Sequence, residues 1–152
     1  MAPSRRWIKE TLGIAALATG IGLGFNAASP SGLPLDRPLP APAPDPRALS
    51  PEGAKAAFDA GRTIFVDARD PKEFAAGRIA GALNLPASTF AESYVAVARL
   101  LPREAPVVVY CGSRACDQAR RLADRLGEVG HPGVKIFVDG LEVWKARGWP
   151  VE

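Results

Sequence analysis

Hydrophobic and polar positions divide this 152-residue chain into stretches of different character. Leu12 to Phe25 (LGIAALATGIGLGF) carries no charge and follows Arg5, Arg6 and Lys9. It gives way to a proline-rich stretch, and after Ser50 apolar residues return in short groups whose spacing alternates between helical and extended. Ser50-Pro51-Glu52 is a helix start, with a capping hydroxyl, a proline at the first helical position and an early carboxylate, and Gly61 is placed to end the helix. Thr63 to Asp67 is a β-branched and aromatic run that predicts a strand. Asp70-Pro71 opens a short helix closed by Gly77, and Ala82 to Leu85 predicts a second brief strand before Pro86. Phe90, Tyr94, Val97, Leu100 and Leu101 fall at helical spacing and predict an amphipathic helix over 88–101. Val107 to Tyr110 is continuously apolar, the pattern of a strand buried on both faces. Ala119, Leu122, Ala123 and Leu126 form a helical stripe ending at Gly127. Val134 to Val138 returns as a strand, and a last helix, Leu141 to Arg147, precedes Gly148-Trp149-Pro150. Strands alternating with helices at these intervals predict an α/β domain with a mainly parallel central sheet and helices on both faces, its reactive site at the carboxyl ends of the strands.

Charge and proline usage sharpen the division. Eight of the fifteen prolines lie from Pro30 to Pro51. The whole chain carries +3, but the residues from Pro51 onward hold 14 Lys/Arg against 13 Asp/Glu, so the basic excess is mainly N-terminal and nucleic acid is not an expected partner. The expected organisation is a basic segment at 1–10, a transmembrane anchor or signal sequence at 11–28, a proline-rich linker at 29–50 and a folded domain at 51–152. Length favours an uncleaved membrane anchor over a removed signal, while Ala27-Ala28-Ser29 offers an Ala-x-Ser pattern for cleavage and keeps both open. Either way, Arg5, Arg6 and Lys9 hold the N-terminus in the cytoplasm and place the domain on the exported side, the periplasm in a Gram-negative bacterium. The linker favours extended polyproline II, a semi-rigid spacer at roughly 3.1 Å per residue.

Two cysteines and one histidine are too few for a disulfide scaffold or a four-ligand zinc site, and no metal or cofactor is expected. His131, before Pro132, reads as a loop residue. Cys111 stands directly after the buried strand, and Gly112-Ser113-Arg114-Ala115-Cys116 leads into the next helix. Loop N–H groups, the positive end of the helix dipole and Arg114 at that place would stabilise a thiolate. Placement alone leaves open a cysteine packed as a small hydrophobe. The spacing is neither Cys-x-x-Cys nor the Cys-x5-Arg of a phosphatase loop, because position 117 is Asp.

Three separated features stand in order along the domain: Val66-Asp67-Ala68-Arg69-Asp70-Pro71-Lys72-Glu73-Phe74 with Gly77-Arg78-Ile79-Ala80-Gly81-Ala82, then Val107 to Cys111, then Asp139-Gly140 with Trp144, Gly148 and Pro150. They are similar to the early signature, the catalytic strand and the closing motif of the rhodanese family of sulfurtransferases, which the domain resembles. The resemblance implies that Cys111 attacks the outer sulfur of a small donor such as thiosulfate, forms a persulfide held by the N–H groups of residues 112–116, and passes the sulfur to a thiol acceptor or cyanide. It implies supporting roles for Asp67 and Arg69, pairing with each other or with nearby chain. Family members often carry a basic residue five positions after the nucleophile, where this chain has Cys116, and a histidine where it has Arg78. Cys116 is either a packing residue or a partner of Cys111 in a disulfide, formed by resolving the persulfide with release of sulfide. The alternatives to a sulfurtransferase are a non-catalytic binding module and a dithiol/disulfide redox protein using Cys111 and Cys116.

Overall fold

A computed structural model of the chain describes residues 5–29 and 44–152, and the chain divides between Ala43 and Pro44 into two compact units. The first contains α1 (Arg5–Ala28). Its segment Lys9–Ala28 is long and apolar enough to cross a membrane by length and composition, a test that a signal sequence also passes. Leu12, Ile14, Leu17, Ile21, Leu23 and Phe25 are all exposed along it. Most of the proline-rich spacer, residues 30–43, lies outside the described residues.

The second unit is a five-stranded, wholly parallel sheet in the order β1-β5-β4-β2-β3, with β1 at Ala48–Leu49, β2 at Ile64–Asp67, β3 at Leu83–Asn84, β4 at Val107–Tyr110 and β5 at Val134–Phe137. The two-residue period of a strand sorts its side chains into two cores. Val66, Val107, Val109, Val134 and Ile136 pack with Ala119, Leu122, Ala123 and Leu126 of α5 (Gln118–Glu128), and Phe90, Tyr94 and Val97 of α4 (Phe90–Val97) pack against them. Phe65, Val108, Tyr110 and Phe137 face Ala54 of α2 (Pro51–Asp59) and Leu141 and Trp144 of α6 (Gly140–Ala146). Trp144 centres that side, its ring 5.3–6.0 Å from those of Phe58, Phe65 and Phe137 and 4.8 Å from Trp149. The short α3 (Pro71–Ala75) precedes Gly77.

Three features differ from the sequence expectation. The amphipathic stretch 88–101 is not one helix: 3-10 turns at Ala87–Thr89 and Ala98–Leu100 flank α4, and Pro102 pushes Leu101 out of the helical region. α5 runs past Gly127, because Gly130, at φ +92°, closes it with Gly130 N–H on Gly127 O (3.1 Å) and His131 N–H on Leu126 O (3.0 Å). His131 lies in the loop between α5 and β5, as expected, and is buried there: it is 2 % exposed and its Nε2 is 2.9 Å from the Tyr94 hydroxyl. β1 lies within the stretch read as linker, pairing Ala48 with Ile136. The Asp45 carboxylate bonds Arg47 Nη2 at 2.9 Å and lies 3.4 Å from Arg120 of α5, while Arg47 reaches Asp124 at 2.7 Å. The hydrogen bond from Arg47 holds the Asp45 carboxyl down to about 2.

Candidate active site

β4 lies between β2 and β5, so Cys111, the residue after it, emerges at the carboxyl end of the sheet's central strand. The N-terminus of α6 grips the chain there. Leu141 N–H donates to Cys111 O and Glu142 N–H to Gly112 O, both at 2.9 Å. Gly140 makes the approach possible: it sits at φ +69°, and a Cβ there would lie 2.6 Å from Cys111 O and 2.8 Å from Gly112 O. Among the described residues no peptide bond is cis. In a trans peptide the C=O and the following N–H point in opposite directions, so fixing these two carbonyls toward α6 turns the N–H groups of Gly112 and Ser113 away from it. Among the described residues, the N–H groups of Ser113, Arg114 and Ala115 have no hydrogen-bond partner.

Cys111 and Cys116 are joined in a disulfide, with a Cα–Cα separation of 6.2 Å. Cys111 is 3 % exposed and Cys116 half-buried. Gln118, the first residue of α5, places its Oε1 3.4 Å from Cys111 Sγ and 3.5 Å from Cys116 Sγ. An amide oxygen there accepts from either thiol once the pair is reduced. Cys111 and Cys116 line an open cavity of about 390 Å3, together with Gly112, Ser113, Ala115, Asp117 and Gln118 of the loop region and with Arg69, Glu73, Arg121 and Glu142.

Asp67 and Arg69, at the carboxyl end of β2, brace this cavity. Asp67 is fully buried and Arg69 is 7 % exposed. Arg69 donates to Asp67 through Nη2 (2.6 Å), Nε (3.0 Å) and its own backbone N–H (3.0 Å), and through Nη2 to Gly77 O at 2.8 Å. Burial alone would push the Arg69 guanidinium down, but the hydrogen bonds and charge of Asp67 outweigh it and hold it above its ordinary value. Asn84 Nδ2 donates to Arg69 O at 2.9 Å, tying the turn after β2 to β3. A Cβ added at Gly112 would stand 3.7 Å from Arg69 Cδ, so the pair underlies the cysteine loop directly. Tyr110, opposite Asp67 in register, accepts the Ile79 N–H at 3.1 Å, and burial, reinforced by the Asp67 charge, pushes its phenol far above the usual range.

Arg114 corrects the expectation that it would lend charge to the thiolate. Its side chain is 73 % exposed, bonds Asp139 Oδ1 through Nε (3.0 Å) and Nη2 (2.5 Å), and is absent from the cavity wall. The nearly buried Asp139, just before α6, offers it a fixed partner, which an N–H nest does not. The cavity's arginines are instead Arg69 and Arg121. Arg121 is bound to Asp117 one turn away at 2.6 Å, and that hydrogen bond holds the Asp117 carboxyl below its ordinary value. Sequence reasoning passed over Gln118, Arg121, Glu73 and Glu142. The signal for the first two was available, since positions 118 and 121 share a face of the helix that the cysteine loop enters.

A parallel sheet covered on both faces, with both cysteines in one loop at the end of its central strand, defines the class of α/β domain. Residues 50–147 match the family model described as Rhodanese-like domain, and the chain belongs to that family. It is 32 % identical over 94 residues to the HTH-type transcriptional regulator Rv0324 of Mycobacterium tuberculosis. That match covers 62 % of this chain and 39 % of the relative, so the chain spans about two fifths of the length of the curated protein it matches. Among solved structures, the BH2092 protein of Bacillus halodurans is similar at 26 % identity and a TM-score of 0.58, covering 65 % of this chain and 71 % of that one. The human single-domain sulfurtransferase TSTD1, at 21 % identity, shares the fold with a TM-score of 0.59 over 68 % of this chain and 98 % of its own.

Proposed function

We propose that the domain is a sulfurtransferase whose nucleophile is Cys111, active when the Cys111–Cys116 disulfide is reduced. The observation that carries this reading is the placement of Cys111, at the end of the central strand, in the wall of an open cavity beside N–H groups that have no other partner among the described residues. The Cys111 thiolate attacks the outer sulfur of thiosulfate, the S–S bond of the donor breaks, and sulfite leaves with the bonding pair. The terminal sulfur is left as a persulfide anion, which the N–H groups of the loop stabilise. A nucleophilic acceptor, a thiolate or cyanide, then takes that sulfur and returns Cys111 to the thiolate. Asp67 and Arg69 hold the loop from below, and Arg69 also forms part of the cavity wall. The apolar segment Lys9–Ala28 supports a membrane anchor or export signal with the domain on the exported side. Carbonate extraction of membranes with N-terminal sequencing of the product separates anchor from cleaved signal.

The test of sulfur transfer is a thiosulfate:cyanide assay on protein reduced with dithiothreitol and then freed of it. The expected result is thiocyanate formation by the reduced chain, none by the oxidised chain, and none by Cys111→Ser. Full turnover by Cys111→Ser would remove Cys111 from its role. No persulfide on the reduced chain with any donor would leave the binding-module reading in its place.

A further inference from the structure

Cys116 is the one reactive side chain at the site that sulfur transfer leaves without work. The closed loop brings its sulfur onto Cys111 Sγ itself, with a Cα–Cα separation of 6.2 Å that lies inside the ordinary bridging range and with no residue of 111–116 at positive φ. The closed pair is therefore a resting conformation that the loop adopts with ordinary backbone geometry. The position reached is the inner sulfur of any Cys111 persulfide, since the terminal sulfur is a bond further out. The charges around the loop point the same way. Arg69 is held by Asp67, Arg114 by Asp139 and Arg121 by Asp117, while Glu73 and Glu142 add negative charge to the cavity wall. A persulfide anion there has backbone N–H groups for support but no unpaired arginine.

We propose, resting on the sulfurtransferase reading, that Cys116 is a resolving cysteine and that the site reduces sulfane sulfur to sulfide at the expense of a dithiol. The Cys116 thiolate attacks Cys111 Sγ. The Cys116 Sγ–Cys111 Sγ bond forms, the bond from Cys111 Sγ to the terminal sulfur breaks, and that sulfur departs with the electron pair as hydrosulfide, taking a proton from solvent. The sulfane sulfur is reduced by two electrons, and the two cysteines are oxidised to the disulfide. Gln118 Oε1, 3.4 and 3.5 Å from the two sulfurs, accepts from the Cys116 thiol before it ionises. An external dithiol, the second substrate, then restores the pair. Its thiolate attacks the half-buried Cys116 sulfur, because Cys111 is only 3 % exposed, and expels Cys111 as the thiolate that the loop N–H groups stabilise. Its second thiol closes the mixed disulfide and releases Cys116.

The test is a single turnover of the full chain, reduced, freed of reductant under anaerobic conditions and treated with sodium thiosulfate. Sulfite, sulfide and protein mass are read together. The expected result for the unaltered chain is one equivalent each of sulfite and sulfide and a protein two hydrogens lighter, with Cys111 and Cys116 linked in peptide maps. Cys116→Ser, with Cys116→Ala as a second variant should the first misfold, is expected to trap the intermediate as a Cys111 peptide heavier by one sulfur atom, with no sulfide released. An unaltered chain that keeps this persulfide beside a free Cys116 thiol would overturn the resolving role and leave sulfur transfer standing. Absence of both sulfite and added sulfur in every variant would overturn the sulfurtransferase reading and this inference with it.

Discussion

Gly140→Ala is the most discriminating perturbation of the scaffold around Cys111. At φ +69° an alanine pays the left-handed penalty of about 1–2 kcal/mol. Its Cβ would also lie 2.6 Å from Cys111 O and 2.8 Å from Gly112 O, both backbone atoms that no rotamer change can move. Retreat to 3.4 Å requires α6 and the loop to part by about 0.8 Å (3.4 − 2.6), which stretches the two 2.9 Å bonds from Leu141 and Glu142. Weakening two backbone hydrogen bonds adds about 1–3 kcal/mol, for a total of roughly 2–5 kcal/mol. Gly148→Ala is the matched control, since Gly148 has φ +67° and no atom within 4 Å of its added Cβ, so only the conformational penalty of about 1–2 kcal/mol applies. Urea denaturation followed by the fluorescence of Trp144 and Trp149, with both variants in the same redox state, reads the difference. After reduction, Gly140→Ala is also expected to change the rate of Cys111 alkylation, and Gly148→Ala is not. Equal destabilisation within about 0.5 kcal/mol would refute the claim that α6 grips the cysteine loop.

The Asp67–Arg69 pair gives a second test: Asp67→Ala or Arg69→Ala strands a buried charge and is expected to cost about 3–5 kcal/mol, the double variant less than the sum. Additive losses in a denaturation cycle would show that the two side chains do not act as a unit. His131 gives a pH signature. Burial, and then the charge of Arg103, lower its pKa from the ordinary 6.5, so the unfolded chain takes up the proton first as pH falls. Its contribution to stability is complete above about pH 6.5 and is lost as pH falls from there through the lower folded-state value. His131→Gln is expected to flatten that part of the stability profile, and an unchanged slope would exclude His131 as its source.

What was legible in the sequence were features carried by local pattern. The unbroken apolar run Val107–Tyr110 became a strand buried at all four positions, and the stripe Ala119, Leu122, Ala123 and Leu126 became the buried face of α5. The parallel sheet followed from the alternation of such runs. Features decided by partners far along the chain were not legible. β1 is two residues whose pairing depends on β5, some 90 residues away, with Ile136 N–H donating to Arg47 O at 2.9 Å. Arg114 could be counted from Cys111, but its direction depended on Asp139, a residue on another loop. The burial of His131 depended on Tyr94 of α4, which no local pattern around residue 131 records.

The grip of α6 on the loop means that the cysteine segment is not a portable cassette. Residues 107–118, synthesised as a peptide or grafted into a foreign loop, would retain both cysteines and Gln118, yet nothing would orient the peptide planes after Cys111. The orientation of those planes is imposed by two backbone donors near residue 140, in α6. During synthesis, Cys111 leaves the ribosome before the two donors that fix its carbonyl and that of Gly112, so the orientation of these peptide planes waits on the docking of α6.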